Sequence, residues 1–195
     1  MTPATTPLAA GLLLTVLLAV AVWRDVATRR IPNRLILAGM LSGIALNCLL
    51  PAGAGVFVAP YGGLGLWGAL AGLATGLLLL LPMYALRALG AGDVKLIAMV
   101  GSVLGPQPIV EVTLLSLIAG GVLSLAVAMW KGVLRAVLRN CYTLVLAALL
   151  RHIGGGAGAL DTPAVVTGRL AYAVAIASGT LLYAVLPRPL IWGAP

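Results

Sequence analysis

Apolar residues run along this chain in long blocks, and polar positions gather in the short stretches between them, so neither the alternation of a half-buried strand nor the one-sided stripe of a surface helix dominates. Six blocks stand out, at residues 8–24, 35–50, 64–86, 94–105, 109–130 and 169–187. A bilayer core of about 30 Å takes roughly 20 apolar residues of helix. The pattern therefore predicts an all-α, polytopic membrane protein with about six transmembrane helices, forming a single domain over residues 1–195. The fourth block is the short one: residues 94–105 rise only about 18 Å as a helix, so this segment must be extended, tilted or shielded by its neighbours.

Composition supports that class. Of the 195 residues 62% are hydrophobic and 8% charged, and the mean hydropathy is +1.16, which leaves too little polar surface for a soluble globule. Met1 to Val22 contains no Lys or Arg, unlike the basic leading region of a secretory signal, so the first block is expected to stay as a helix. The net charge of +8 reads as a topology signal, because Lys and Arg in short loops stay on the cytoplasmic side. With six alternating spans, Arg24, Arg29, Arg30, Arg34, Arg87, Lys95, Lys131, Arg135, Arg139, Arg151 and Arg169 all fall on one face, and only Arg188 falls outside the set. Both termini then lie on the opposite face. A nucleic-acid role has no support, since neither a soluble domain nor aromatic-basic interleaving is present.

Between the last two blocks, Lys131, Arg135 and Arg139 recur every four residues opposite Leu134, Val137, Leu138 and Cys141. This spacing predicts an amphipathic helix in the third cytoplasmic loop, lying in the membrane interface with its cations toward lipid headgroups. Gly154–Gly158 follows as a flexible connector, with no preceding strand to suggest a phosphate loop. Cys48 and Cys141 are far apart and His152 stands alone, which gives no metal-ligand spacing and no disulfide framework. No metal and no cofactor is expected.

The four acidic residues are where chemistry enters. Asp25 ends the first block, ahead of Ile31, Pro32 and Asn33; Asp93, in Gly90-Ala91-Gly92-Asp93-Val94-Lys95-Leu96, opens the fourth. The topology brings both to the cytoplasmic face. An ionisable residue at the edge of a span is costly to keep there and is a functional candidate by default. Two carboxylates at one site can share a proton, so that one accepts a proton from an attacking water while the other polarises a scissile carbonyl. Glycines at 90 and 92 would let a substrate backbone or another helix approach the acid closely. Taken singly, Asp93 reads as a helix cap, Asp25 as a surface partner of Arg29, and Lys95 either as support for the Asp93 charge or as a snorkelling side chain. Taken together, in a chain almost free of other acids, the two aspartates read as a catalytic pair.

These two segments resemble the type IV prepilin peptidases, membrane aspartyl proteases of the Gly-x-Gly-Asp class, and residues 169–179 look like that family's closing helix. The resemblance implies cleavage of the basic leader from prepilins or pseudopilins at the cytoplasmic face of a bacterial inner membrane. Asp25 and Asp93 would be catalytic, supported by Gly90, Gly92, Lys95, Pro32 and Asn33. Asp25 follows the first block at once, with no cysteine-rich insert between, which is similar to the short, Tad-type peptidases that lack the methyltransferase function. Partners would be the prepilin and membrane lipids. A small proton-coupled transporter and a structural subunit of a pilus or secretion assembly are the rival classes; the first would call for paired repeats and acids near the bilayer midplane, and neither is seen.

Overall fold

The computed structural model describes residues 5–86, 88–137, 139, 142 and 171–186. Six helices are found there: α1 Thr5–Thr28, α2 Asn33–Leu49, α3 Gly65–Ala85, α4 Ala91–Leu104, α5 Pro106–Trp130 and α6 Tyr172–Val185. Each coincides with one of the apolar blocks. Among the described residues, Leu8–Thr28, Gly65–Ala85 and Pro106–Trp130 are long and apolar enough to cross a membrane, whereas α2 and α6 are apolar but shorter. The all-helical fold of the prediction is observed, with three helices of spanning length. The chain divides into two compact units, residues 1–120 with 171–195, and residues 121–170.

In the first unit α4 is the central element. Residues 96 to 105 are all buried, so the helix is enclosed on every side, as an apolar-all-round sequence requires. Helices α2 and α3 flank it, and α1 and α6 also touch it. At 14 residues α4 rises only about 21 Å, and it is shielded by its neighbours in the way its shortness called for. Small residues permit the enclosure. A Cβ at Gly72 would strike the carbonyl oxygen of Gly101, and one at Gly101 would strike that of Gly72. One turn along, a Cβ at Gly76 would lie 2.9 Å from the Ile97 oxygen. On the other flank Gly39 admits the Met99 side chain and Gly43 admits Ser102 and Val103. Glycine pairs four residues apart let helix backbones approach closely, which is the packing mode available where lipid offers no hydrophobic contrast.

The outward surface has the complementary character. Leu12, Val16, Leu37, Leu41, Leu78 and Ile118 are all more than half exposed, as lipid-facing side chains would be. Trp23 near the end of α1 and Trp67 near the start of α3 are 68% and 81% exposed, positions suited to the two interfaces of a bilayer. Hydroxyls are satisfied within their own helices: Thr15, Ser42, Thr75, Thr113, Ser116, Ser178 and Thr180 each donate to the carbonyl four residues back, at 2.6–2.8 Å.

One buried amide ties three elements together. Asn47, 1% exposed, donates through Nδ2 to the carbonyls of Gly43, Ser102 and Val103 at 3.0–3.1 Å and accepts from the Leu64 N–H through Oδ1 at 3.0 Å. It thereby satisfies carbonyls in the last turn of α4 and the N–H of the residue just ahead of α3, groups a helix end leaves open. Asn47→Ala is expected to lower stability by about 1–3 kcal/mol, the usual cost of stranding such groups, seen as a drop in the thermal midpoint of the detergent-solubilised protein.

In the second unit, α5 ends at Trp130, and Gly132 just beyond it, with a φ of 68°, closes a Schellman turn: Val133 N–H reaches the Ala128 oxygen at 2.9 Å and Gly132 N–H reaches the Met129 oxygen at 3.0 Å. Beyond it Leu134–Val137 is helical, with Arg135 and Arg139 exposed and Leu134 and Val137 half-buried. The rest of the expected amphipathic helix, including Leu138 and Cys141, and the connector with His152 and Asp161, lie outside the described residues.

Candidate active site

Helix α1 buries one stripe, Ala10, Leu14, Leu18 and Ala21, and Asp25 continues it. At about 100° per residue these five positions fall within an arc of about 80°. The spacing that packs the helix therefore turns the Asp25 carboxylate inward, to 8% exposure. Asp25 is therefore a buried residue and not a surface one. Its Oδ2 accepts the backbone N–H of Ala173, in the first turn of α6, at 3.1 Å. Helix N-termini present unsatisfied N–H groups and a positive dipole end, which favour a carboxylate there.

Helix α1 stops where Arg29 takes a left-handed φ of 54°, and the chain then runs extended through Pro32. The Pro32 carbonyl accepts from Leu35 and Ile36 at 3.1 and 3.3 Å and so begins α2, with Asn33 as its first residue. Across from it α4 begins with the second motif. Asp93, in the first turn, accepts the Gly90 N–H through Oδ2 at 3.1 Å. The N-cap is Gly90 rather than Asp93, because the helix starts at Ala91; Asp93 is the third helical residue and reaches back to the N-cap N–H, which leaves its other carboxyl oxygen for other partners. A Cβ at Gly90 would crowd that same Oδ2 at 3.1 Å, and one at Gly92 would meet Ile31 at 3.6 Å. The two glycines therefore serve the seat of Asp93 and the packing of the motif against residue 31.

The two motifs are joined directly. Lys95 Nζ donates to Asn33 Oδ1 at 3.2 Å, across 62 residues of sequence. This contact is neither of the two roles the sequence suggested for Lys95, and it gives Asn33 a partner that its position alone did not name.

Asp25 and Asp93 stand at the same end of the bundle and interact. Asp93 precedes the enclosed part of α4, and burial pushes its carboxyl up to about 6; the Gly90 N–H opposes that shift, and the Asp25 charge adds to it. The Asp25 charge is thus within electrostatic reach of the Asp93 carboxyl. Two residues that sequence reasoning passed over also belong here. The Ala173 N–H fixes Asp25, and Tyr172, beside it, lies in the electrostatic field of Asp93. A backbone donor carries no sequence signal at all, and Tyr172 reads in sequence as one more apolar helix residue. Glu111 is buried near the start of α5, which follows the far end of α4, and takes no part in the site. Among the described residues no group of three or more His, Cys, Asp or Glu is arranged to hold a metal ion.

Residues 12–125, more than half of the chain and including both aspartates, match the model of the type IV leader peptidase family. No curated protein and no solved structure matches.

Proposed function

The chain belongs to the type IV leader peptidase family and is a membrane protease, and from that premise we propose that it is an aspartyl endopeptidase that cuts the basic leader from Tad-type prepilins or pseudopilins at the cytoplasmic face of a bacterial inner membrane. The observation that supports this reading is the seating of Asp25 and Asp93 at the same end of the bundle, each by a backbone N–H, with the Asp25 charge acting on Asp93. The stated side rests on the positive charge: if all six helices cross the membrane, the cations around the α1–α2 and α3–α4 turns share one face, which the charge bias assigns to the cytoplasm.

The chemistry follows from the shared proton. The ionised carboxylate takes a proton from water as its oxygen attacks the scissile carbonyl carbon, and the protonated partner gives its proton to the carbonyl oxygen. The resulting gem-diol collapses as the C–N bond breaks, with a proton passing to the leaving amine. Asp93, whose proton is held to higher pH by burial, is the acid of the first step, and Asp25 is the base. An apolar groove lined by Leu14, Leu18, Val22, Ala177, Thr180 and Tyr183 ends one helical turn from Asp25. It is the surface that an apolar segment following the cut bond would meet.

The test is direct cleavage. Purified protein in detergent, given a synthetic peptide with a Lys/Arg-rich leader, a Gly at its end and an apolar helix beyond, should yield two fragments cut at that junction by mass spectrometry. Activity should survive EDTA, since the two carboxylates supply the proton transfers. Absence of cleavage, or loss in EDTA that added zinc restores, would count against the aspartyl mechanism.

A further inference from the structure

The first turn of α6 reaches Asp25. Its Ala173 N–H holds Asp25 at 3.1 Å. The residue beside it, Tyr172, packs its ring on Gly120 of α5, where a Cβ would lie 2.6 Å from Cε2 and 3.1 Å from the hydroxyl oxygen. Only glycine at 120 leaves room for the ring there, so the tip of Tyr172 is positioned by a vacancy in the facing helix. Its hydroxyl has no hydrogen-bond partner among the described residues, and it is not sealed in the core, because no buried side-chain oxygen or nitrogen there lacks a partner. A phenol held by packing and covalently next to the residue that seats Asp25 is placed to serve the reaction.

Resting on the peptidase reading above, we infer that Tyr172 is a further catalytic residue: its O–H donates a hydrogen bond to the scissile carbonyl oxygen and holds it as charge develops there. The electron pair of the carbonyl moves to that oxygen as water attacks. The oxygen takes its proton from the protonated aspartate, and Tyr172 keeps its own. A preorganised donor of this kind strengthens its bond in the transition state and acts on kcat.

Tyr172→Phe removes one oxygen and keeps the ring that fills the space at Gly120. With the leader peptide as substrate, kcat should fall by about 10²- to 10³-fold, while KM and the thermal midpoint stay at wild-type values. Gly120→Ala, which moves the ring, should lower kcat in the Tyr172 protein and add little in Tyr172→Phe, because both changes remove the same hydrogen bond. Wild-type kcat in Tyr172→Phe, a loss confined to KM, or losses that multiply in the double variant would each overturn the inference. Wild-type protein that cuts the peptide while Tyr172→Phe cuts it equally well leaves the peptidase standing and removes Tyr172 alone; wild-type protein that cuts nothing overturns both.

Discussion

Asp25→Asn and Asp93→Asn should each reduce leader cleavage by about 10²- to 10⁴-fold, the range supplied by a positioned acid or base, while the protein continues to accumulate in the membrane. The amide keeps the size of the side chain and an oxygen to accept the Ala173 or Gly90 N–H, so the seats survive and only proton transfer is lost. Combining the two changes should cost little beyond either one, because the carboxylates act as a unit. Glu111→Gln, remote from the pair, is the comparator and should keep most of the activity. Prepilin mobility on a gel reads all four proteins, and normal processing in either aspartate variant would remove the dyad assignment. The pH dependence carries a sign. A carboxyl raised to about 6 holds its proton below that value and loses it above, so the population with one shared proton shrinks as pH rises through it. Cleavage by the free enzyme, measured as kcat/KM, should therefore decline on the alkaline side, and Asp93→Asn should abolish that limb together with the activity.

Gly101→Val should prevent the bundle from forming. The Cβ at 101 would meet the Gly72 carbonyl oxygen, and Gly72 is backbone of the facing helix that cannot rotate aside as a side chain could. Relieving the collision means separating α3 from α4, whose residues 96 to 104 are all buried. Overpacking typically costs about 1–3 kcal/mol, occasionally more, and forced separation of two helices belongs at or above the top of that range in proteins whose total stability is only about 5–15 kcal/mol. Gly72→Val should behave alike, from the other side of the same contact. Gly121→Ala is the control: among the described residues nothing lies within 4 Å of its Cβ position, so the change should be neutral or slightly stabilising, as alanine is the better helix former. Yield of monodisperse protein and thermal midpoint in detergent measure the difference; a Gly101→Val protein with a wild-type midpoint would mean that α3 and α4 do not meet there.

The sequence by itself determined where the helices lie, because lipid demands long apolar runs with their backbone bonds satisfied internally, and such runs are visible at a glance in residues 8–24 or 64–86. It also singled out Asp25 and Asp93, since a carboxylate is conspicuous in a chain with four acids. It could not say which side of each helix faces inward. In a soluble helix polarity marks the two faces, but here both faces are apolar, and the distinction is carried by size: Gly39, Gly43, Gly72 and Gly76 toward α4, Leu37, Leu41 and Leu78 toward the outside. Only the tertiary structure decided the partners. Asn33 meets Lys95 across 62 residues, Asn47 meets Val103 across 56, and Asp25 meets the Ala173 N–H across 148. No local pattern encodes such contacts, because each depends on which helices the topology brings together and on how closely glycine lets them approach. The seat of Asp25 is the clearest case, since its donor is a main-chain N–H that any residue except proline would offer, and it acts there only because α6 begins beside the last turn of α1.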